Sequence, residues 1–149
     1  MNRRTQIIVR TFDKRSIELS GAVLAVAGRA QIALAGGDLW FHLQVWQTDN
    51  GDEGFAPVIR GFLNDETDPL YIDSEAVNNA TDVENFFFAF DPAEMVHNLT
   101  ARSFSRESAE RLVMEAAPAY EKQVDKVLQQ FHDAMRQQQE SQLKKAGYR

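Results

Sequence analysis

The chain contains no cysteine among its 149 residues, which excludes disulfides and thiolate metal sites. A reducing compartment is then the simplest location, and we expect a cytoplasmic protein. Long apolar runs are also missing, because the most apolar stretch, residues 21–36, is interrupted by Arg29. Such a stretch is too short to span a bilayer and begins too late for a usual signal peptide. We therefore expect no membrane contact and a fold that depends on an apolar core.

Basic residues are nearly absent from the middle of the chain. Residues 38–94 contain thirteen aspartates and glutamates but a single cation, Arg60, whereas the whole chain has a net charge of −6. This segregation predicts an acidic surface region, which makes nucleic acid a poor direct partner and a basic protein a good one. The candidate contacts to that partner lie in two turn-like segments: Asp49, Asp52, Glu53, Asp65, Glu66 and Asp68.

Motifs for cofactors and metals are missing as well. Neither of the glycine-rich phosphate-binding patterns occurs. The acidic stretch 49–54 differs from a calcium loop, because Arg60 stands where the twelfth ligand belongs. Glu94 and His97 have the spacing of half a di-iron site, but the second half is absent. We therefore expect no cofactor and no metal, and we assign no catalytic residue.

The first half of the chain has the pattern of β-strands. In residues 39–46, apolar Leu39, Phe41, Leu43 and Val45 alternate with a second set of bulky side chains. The predicted strands are 5–12, 16–27, 30–35, 39–46, 55–63 and 70–72.

Two glycines and one proline refine this prediction. Gly28-Arg29 favours a type II′ hairpin turn between strands 16–27 and 30–35. The alternative is a helix over residues 18–34, which alanine content supports and the internal Gly21 and Gly28 oppose. Pro57 predicts that its strand is at a sheet edge or a bulge.

The second half has the pattern of helices. Asp91-Pro92-Ala93-Glu94 is a capping-box arrangement that predicts a helix from Asp91 to about Arg102. Another helix is expected from Arg106 to about Ala117, where Pro118 either kinks it or begins a new one. One apolar stripe follows at helical spacing: Tyr120, Val124, Val127, Leu128, Phe131 and Met135.

These patterns together predict an α+β domain over residues 1–135 and a polar helical extension or frayed tail over 136–149. The sheet is antiparallel, has five to seven strands within residues 5–90, and is strongly twisted or half-barrel in shape. Two or three helices within 92–146 pack on one face of the sheet or extend from it.

A cluster of phenylalanines, residues 86–88 and 90, ends the predicted sheet region. If a helix begins at Asp91, the cluster belongs to a strand, and Phe86, Phe88 and Phe90 share its core-facing side. Phe87 then points the opposite way. We include Phe87 among the candidate partner contacts for this reason.

The favoured function is a non-catalytic binding, adaptor or inhibitor protein that acts on a basic protein partner. The long helix over residues 118–146 is a candidate for self-association. One alternative is a ligand-binding or hydrolytic barrel with a pocket at Trp40, His42 and Trp46, in which the imidazole is the candidate base. Another is an acidic mimic of nucleic acid that blocks a DNA-binding protein.

Overall fold

A computed structural model describes residues 5–11, 14–28, 32–34, 37–48, 54–63, 71–91 and 106–145, and the structural statements below concern these residues. The strands are β1 (Thr5–Arg10), β2 (Ser16–Gly28), β3 (Ile32–Leu34), β4 (Gly37–Thr48), β5 (Phe55–Leu63) and β6 (Tyr71–Ser74). The helices are α1 (Ala80–Ala89) and α2 (Arg106–Lys145).

The six strands form one antiparallel sheet in the order β1-β2-β4-β5-β6, and β3 pairs with the remaining part of β4. The α+β class and the antiparallel sheet are therefore confirmed. The described residues contain two helices, one of which lies outside the predicted helical region. The helix predicted from Asp91 to Arg102 lies almost wholly outside the described residues.

The predicted hairpin between residues 16–27 and 30–35 is wrong. Both β2 and β3 are strands, so the helical alternative is also wrong. However, β2 pairs with residues 42–48 of β4 and β3 pairs with residues 37–39 of the same strand. The two apolar segments therefore lie along one side of β4 and do not form a hairpin with each other.

One face of the sheet forms the main core together with the helices. Phe41, Leu43 and Val45 of β4 are fully buried there. The predicted stripe of α2 packs against them, with Val127 and Phe131 also fully buried. Burial of a large apolar side chain contributes about 1.5–3 kcal/mol, so this layer is the main source of stability.

The opposite face carries a second, smaller core, to which both outer strands contribute. Its buried members are Val9, Leu19, Trp46, Ala56 and Val58, and Ile17 and Ile72 pack against them. Because β1 and β6 contribute to one cluster, the sheet curves until its outer strands approach each other. An exposed ion pair joins the same regions, with Arg15 Nη2 3.2 Å from Asp73 Oδ1. The predicted curvature is confirmed as a nearly barrel-shaped sheet.

Pro57 lies in an internal strand whose register with β4 is continuous, so the prediction of an edge or bulge is wrong. In antiparallel strands, alternate residues direct their N–H groups to the same neighbour. Phe55 exchanges two hydrogen bonds with Val77 on the β6 side. Pro57 is two residues further, so its missing N–H faces that side, where the hydroxyl of Ser74 donates to its carbonyl at 2.9 Å.

Three of the four clustered phenylalanines, residues 86–88, belong to α1 and Phe90 is its C-cap, so the prediction of a strand there is wrong. Asn79 caps this helix, since its side-chain oxygen accepts a hydrogen bond from the Asp82 N–H at 2.8 Å. In a helix, Phe87 rather than Phe88 faces the sheet: Phe87 is fully buried and Phe88 is 66% exposed. The prediction is therefore wrong for Phe87 and Phe88, whereas Phe86 and Phe90 are partly buried against the main core.

Pro118 lies inside α2, which runs as a single helix from Arg106 to Lys145. Pro118 therefore does not begin a new helix. Two glutamines of α2 also contact the sheet. The Val26 N–H donates to Gln130 Oε1 at 3.0 Å, and the side chain of Gln138 donates to that of Gln47 at 2.9 Å. Despite its 40 residues α2 is too polar to cross a membrane, and no helix in the described part of the chain could do so.

The close approach of β2 to β4 at Gly21 generates a first prediction. Gly21 has a φ of 152°, and a Cβ there would lie 1.9 Å from the Gln47 carbonyl oxygen. We expect Gly21→Ala to lower the free energy of unfolding by about 3 kcal/mol, because the backbone must shift. Urea denaturation measures this change.

Gly28→Ala is the matched control in the same strand. Its Cβ would meet the edge of the His42 ring at 3.1 Å and no backbone atom closer than 3.9 Å. We expect a change below about 1 kcal/mol. Equal effects of the two substitutions would contradict the close strand approach at Gly21.

Candidate functional site

A groove of about 300 Å³ lies between the C-terminal turn of α1 and the middle of α2. We call it the helix groove. The residues that line it are Phe87, Phe88, Phe90, Ala117, Tyr120, Glu121, Val124 and Asp125.

The floor of the helix groove is an aromatic cluster that a buried hydrogen bond holds in place. The hydroxyl of Tyr120 donates to the carbonyl oxygen of Phe87 at 2.7 Å, which joins α2 to the last turn of α1. The ring of Phe90 lies 4.6 Å from Tyr120 and 5.4 Å from Tyr71, measured between centroids. Burial raises the pKa of Tyr120, with smaller contributions from Tyr71 and Asp73, so the hydroxyl keeps the proton that it donates.

The rim of the helix groove combines one exposed ring with two carboxylates. Phe88 is exposed on α1, and Glu121 and Asp125 are exposed on α2. These acids are four residues apart, so they lie on the same side of the helix. Neither makes an ion pair within the described part of the chain. The groove therefore has an apolar floor and a negative edge without an ion pair to any described cation.

A second polar site lies on the sheet face opposite the helices. His42 and Arg60 are direct cross-strand neighbours on β4 and β5. Arg60 Nη1 donates to Gln44 Oε1 at 2.7 Å, and the indole N–H of Trp46 donates to the same oxygen at 3.1 Å. We call His42, Gln44 and Arg60 the sheet site. Trp40 lies at its end and stacks on Phe62 with a centroid distance of 4.1 Å.

The environment of the sheet site keeps His42 neutral. Burial lowers its pKa from the ordinary value, and the positive charge of Arg60 lowers it further. The Nδ1 atom is buried and has no hydrogen-bond partner in the described part of the chain. Nothing among these residues orients the imidazole toward a nucleophile, so the arrangement lacks the paired groups of a hydrolytic site.

All three residues of the predicted pocket lie on β4. Trp40, His42 and Trp46 share one face, as the alternation predicts, but Trp46 is only 4% exposed and belongs to the second core. The six acids proposed as partner contacts, at positions 49, 52, 53, 65, 66 and 68, lie outside the described residues. Phe87 lines the floor of the helix groove, and the exposed ring next to it is Phe88.

Several site residues were not found from the sequence. The sequence predicts Phe88 in the core, because in a strand it would share the inward side with Phe86 and Phe90. Glu121 and Asp125 carried a detectable signal, since they flank the apolar stripe of α2 at helical spacing. The His42–Arg60 pair depends on the register across the turn at 49–54, which a six-residue connection does not specify.

Comparison with known proteins gives no relative for this chain, since no family model, no curated protein and no solved structure matches it. The fold defines an α+β domain in which helices cover one side of a curved antiparallel sheet. Its function has to be argued from the two sites.

The sheet site generates a prediction about the titration of His42. Its lowered pKa means that the folded chain resists protonation there, while the unfolded chain protonates near the ordinary value of 6.5. His42 should therefore titrate below 6.5, and this part of the stability is present above pH 6.5 and lost as the pH falls through the folded pKa. Histidine NMR resonances, assigned with His42→Gln, measure the titration.

Arg60→Gln tests the assigned cause. Loss of the guanidinium charge should raise the pKa of His42 toward its ordinary value, because one of the two lowering effects is removed. Arg136→Gln, on the exposed face of α2, should leave that pKa unchanged. Titration of His42 at or above 6.5 in the parent chain would contradict this environment.

Proposed function

We propose that this chain is a non-catalytic binding protein that receives an apolar, positively charged segment of a partner protein in the helix groove. The observation that supports this proposal is the combination of an open aromatic groove with two exposed carboxylates that make no ion pair within the described residues. The partner contributes the apolar side chains and the basic groups.

The apolar part of the proposal depends on Phe88. An exposed phenylalanine is common by itself, but this one borders a concave surface that also includes Phe90 and Val124. A volume of about 300 Å³ is at the lower end for ligand pockets, so it suits one or two large side chains. Protein interfaces commonly depend on such anchors in a central pocket surrounded by polar groups.

The charge of the partner follows from the rim. A basic side chain beside the apolar anchor would meet Glu121 and Asp125, both exposed on α2. The two lysines of the same stretch, Lys122 and Lys126, do not line the groove. The net charge of −6 adds long-range attraction for a basic partner and increases the rate of association.

The acidic segments at 49–53 and 65–68 add a finer part of the proposal. Asp49, Asp52 and Glu53, together with Asp65, Glu66 and Asp68, extend the interaction with the same basic partner. A nucleic-acid mimic would need these acids at the spacing of phosphates, and that alternative stays a prediction.

Self-association through α2 also stays a prediction. Its apolar stripe packs against its own sheet, so a second copy would have to use the distal part, where Leu143 is 52% exposed. Light scattering on the full chain distinguishes a monomer from a dimer.

A pair of labelled helical peptides tests the groove. One repeats leucine and lysine at helical spacing, and the other has glutamate in place of each lysine. We expect the lysine peptide to bind the full chain with steep salt dependence and the glutamate peptide not to bind. Phe88→Asp should weaken binding about tenfold or more, which corresponds to the loss of one apolar anchor. Fluorescence anisotropy measures both affinities.

Matched variants separate the groove from general attraction between charges. Ile8→Asp places the same charge at another exposed apolar residue, 75% exposed on β1, and should bind as the parent chain does. Glu121→Gln with Asp125→Asn should weaken binding and flatten its salt dependence, whereas Glu140→Gln should not. Equal binding of the two peptides, or equal effects of Phe88→Asp and Ile8→Asp, would exclude the groove as the binding site.

A further inference from the structure

The sheet site contains a cation that has no carboxylate partner among the described residues. Arg60 is the only basic residue between positions 38 and 94, among thirteen acids, yet it makes no ion pair with a described carboxylate. The one hydrogen bond of its side chain in the described part of the chain is to the neutral amide of Gln44. A guanidinium has five N–H donors, so several remain available to a ligand.

Gln44 holds this cation in a defined orientation. Its oxygen accepts hydrogen bonds from Arg60 and from the indole of Trp46, which is itself fixed in the second core. The guanidinium is therefore anchored at one nitrogen. Orientation before binding reduces the entropy that a ligand loses on binding.

His42 supplies a second donor beside Arg60. Its Nδ1 is buried without a partner, and we place the proton on Nε2, because a buried N–H without an acceptor is rarer than an unpaired acceptor. Nε2 has no hydrogen bond to another described residue. The neutral imidazole therefore offers one N–H on the sheet face that Arg60 also occupies.

Gly28 leaves space at the same edge of the ring. It pairs with His42 from β2, and a Cβ at this position would lie 3.1 Å from Cδ2, the carbon bonded to Nε2. A glycine therefore leaves this edge uncovered where any other residue would place a side chain.

We infer that the sheet site binds the oxyanion of a small ligand, with Arg60 and His42 as donors and Gly28 leaving the space. The oxyanion is a carboxylate or a phosphate, because a guanidinium presents parallel N–H groups to either. The site lies on the sheet face opposite the helix groove, so this binding is separate from the proposed function.

NMR of the full chain tests the site with four sodium salts: acetate, phosphate, benzoate and phenyl phosphate. The reporters are the indole N–H of Trp46, one of only two in the chain, and the side-chain N–H of Arg60. We expect at least one salt to shift both signals saturably below about 10 mM, while sodium chloride at equal ionic strength does not. Binding of the acetate and benzoate pair alone identifies a carboxylate ligand, and binding of the phosphate pair alone identifies a phosphate ligand.

Variants then assign the binding to these residues. Arg60→Gln should weaken the affinity about tenfold or more, which is the usual effect of losing a charged hydrogen bond. Gly28→Ala, which fills the space, and His42→Gln, which changes the donor, should each weaken it as well. If Arg60→Gln reduces folding, these two variants still test whether the sheet site binds the anion.

Arg136→Gln is the matched control, because it removes an arginine from the exposed face of α2. It should leave anion binding unchanged. Absence of a saturable shift with all four salts would overturn the inference. So would equal affinity of the parent chain, Arg60→Gln and Gly28→Ala.

Discussion

The contact between Phe87 and Tyr120 is the interaction on which the arrangement of the helices depends. The buried phenylalanine ring lies between α1 and the sheet, and the tyrosine hydroxyl donates to the carbonyl of the same residue. The tyrosine ring also meets Phe41 of the central strand, with a centroid distance of 5.5 Å. One residue of each helix therefore fixes the position of both on the sheet. Both residues also line the helix groove, so this contact forms part of its floor.

The composition of β4 explains why the rest of the fold has two cores. Large side chains occupy both faces of this strand, so both faces must be removed from water. The helices cover the face that carries Phe41, Leu43 and Val45, and curvature of the sheet covers Trp46 on the other. The apolar core on the second face does not extend over the whole face, because His42 and Gln44 on the same face are polar. The sheet site is the part of that face where polar groups replace apolar core.

Strands were predicted well where the sequence alternates or is bounded by turns, as at β4 and β5. The pairing of strands was predicted poorly, because an apolar pattern shows that a strand is buried but does not identify the strand beside it. The segments around Gly28 are an example, since both pair with β4. The start of α1 could not be predicted with confidence from Asn79 alone, because residues 74–82 show no clear period.

An error in period had a direct effect on the predicted site. In a strand, Phe88 would face the core and Phe87 would be exposed. In the helix α1 the reverse holds, so the wrong secondary structure also gave the wrong exposed ring. The polar neighbours of Arg60 could not be found because they depend on register across a turn. The acids between β4 and β5, Asp49, Asp52 and Glu53, remain predicted contacts of a partner.

The most direct test of the aromatic contact compares Phe87→Ala with Phe88→Ala by urea denaturation. The structure predicts that Phe87→Ala lowers the free energy of unfolding by about 3–5 kcal/mol, because it leaves a cavity between α1, α2 and the sheet. Phe88→Ala should change it by less than about 1 kcal/mol, since this ring is mainly exposed. A larger loss from Phe88→Ala than from Phe87→Ala would contradict the helix and restore a strand at this position.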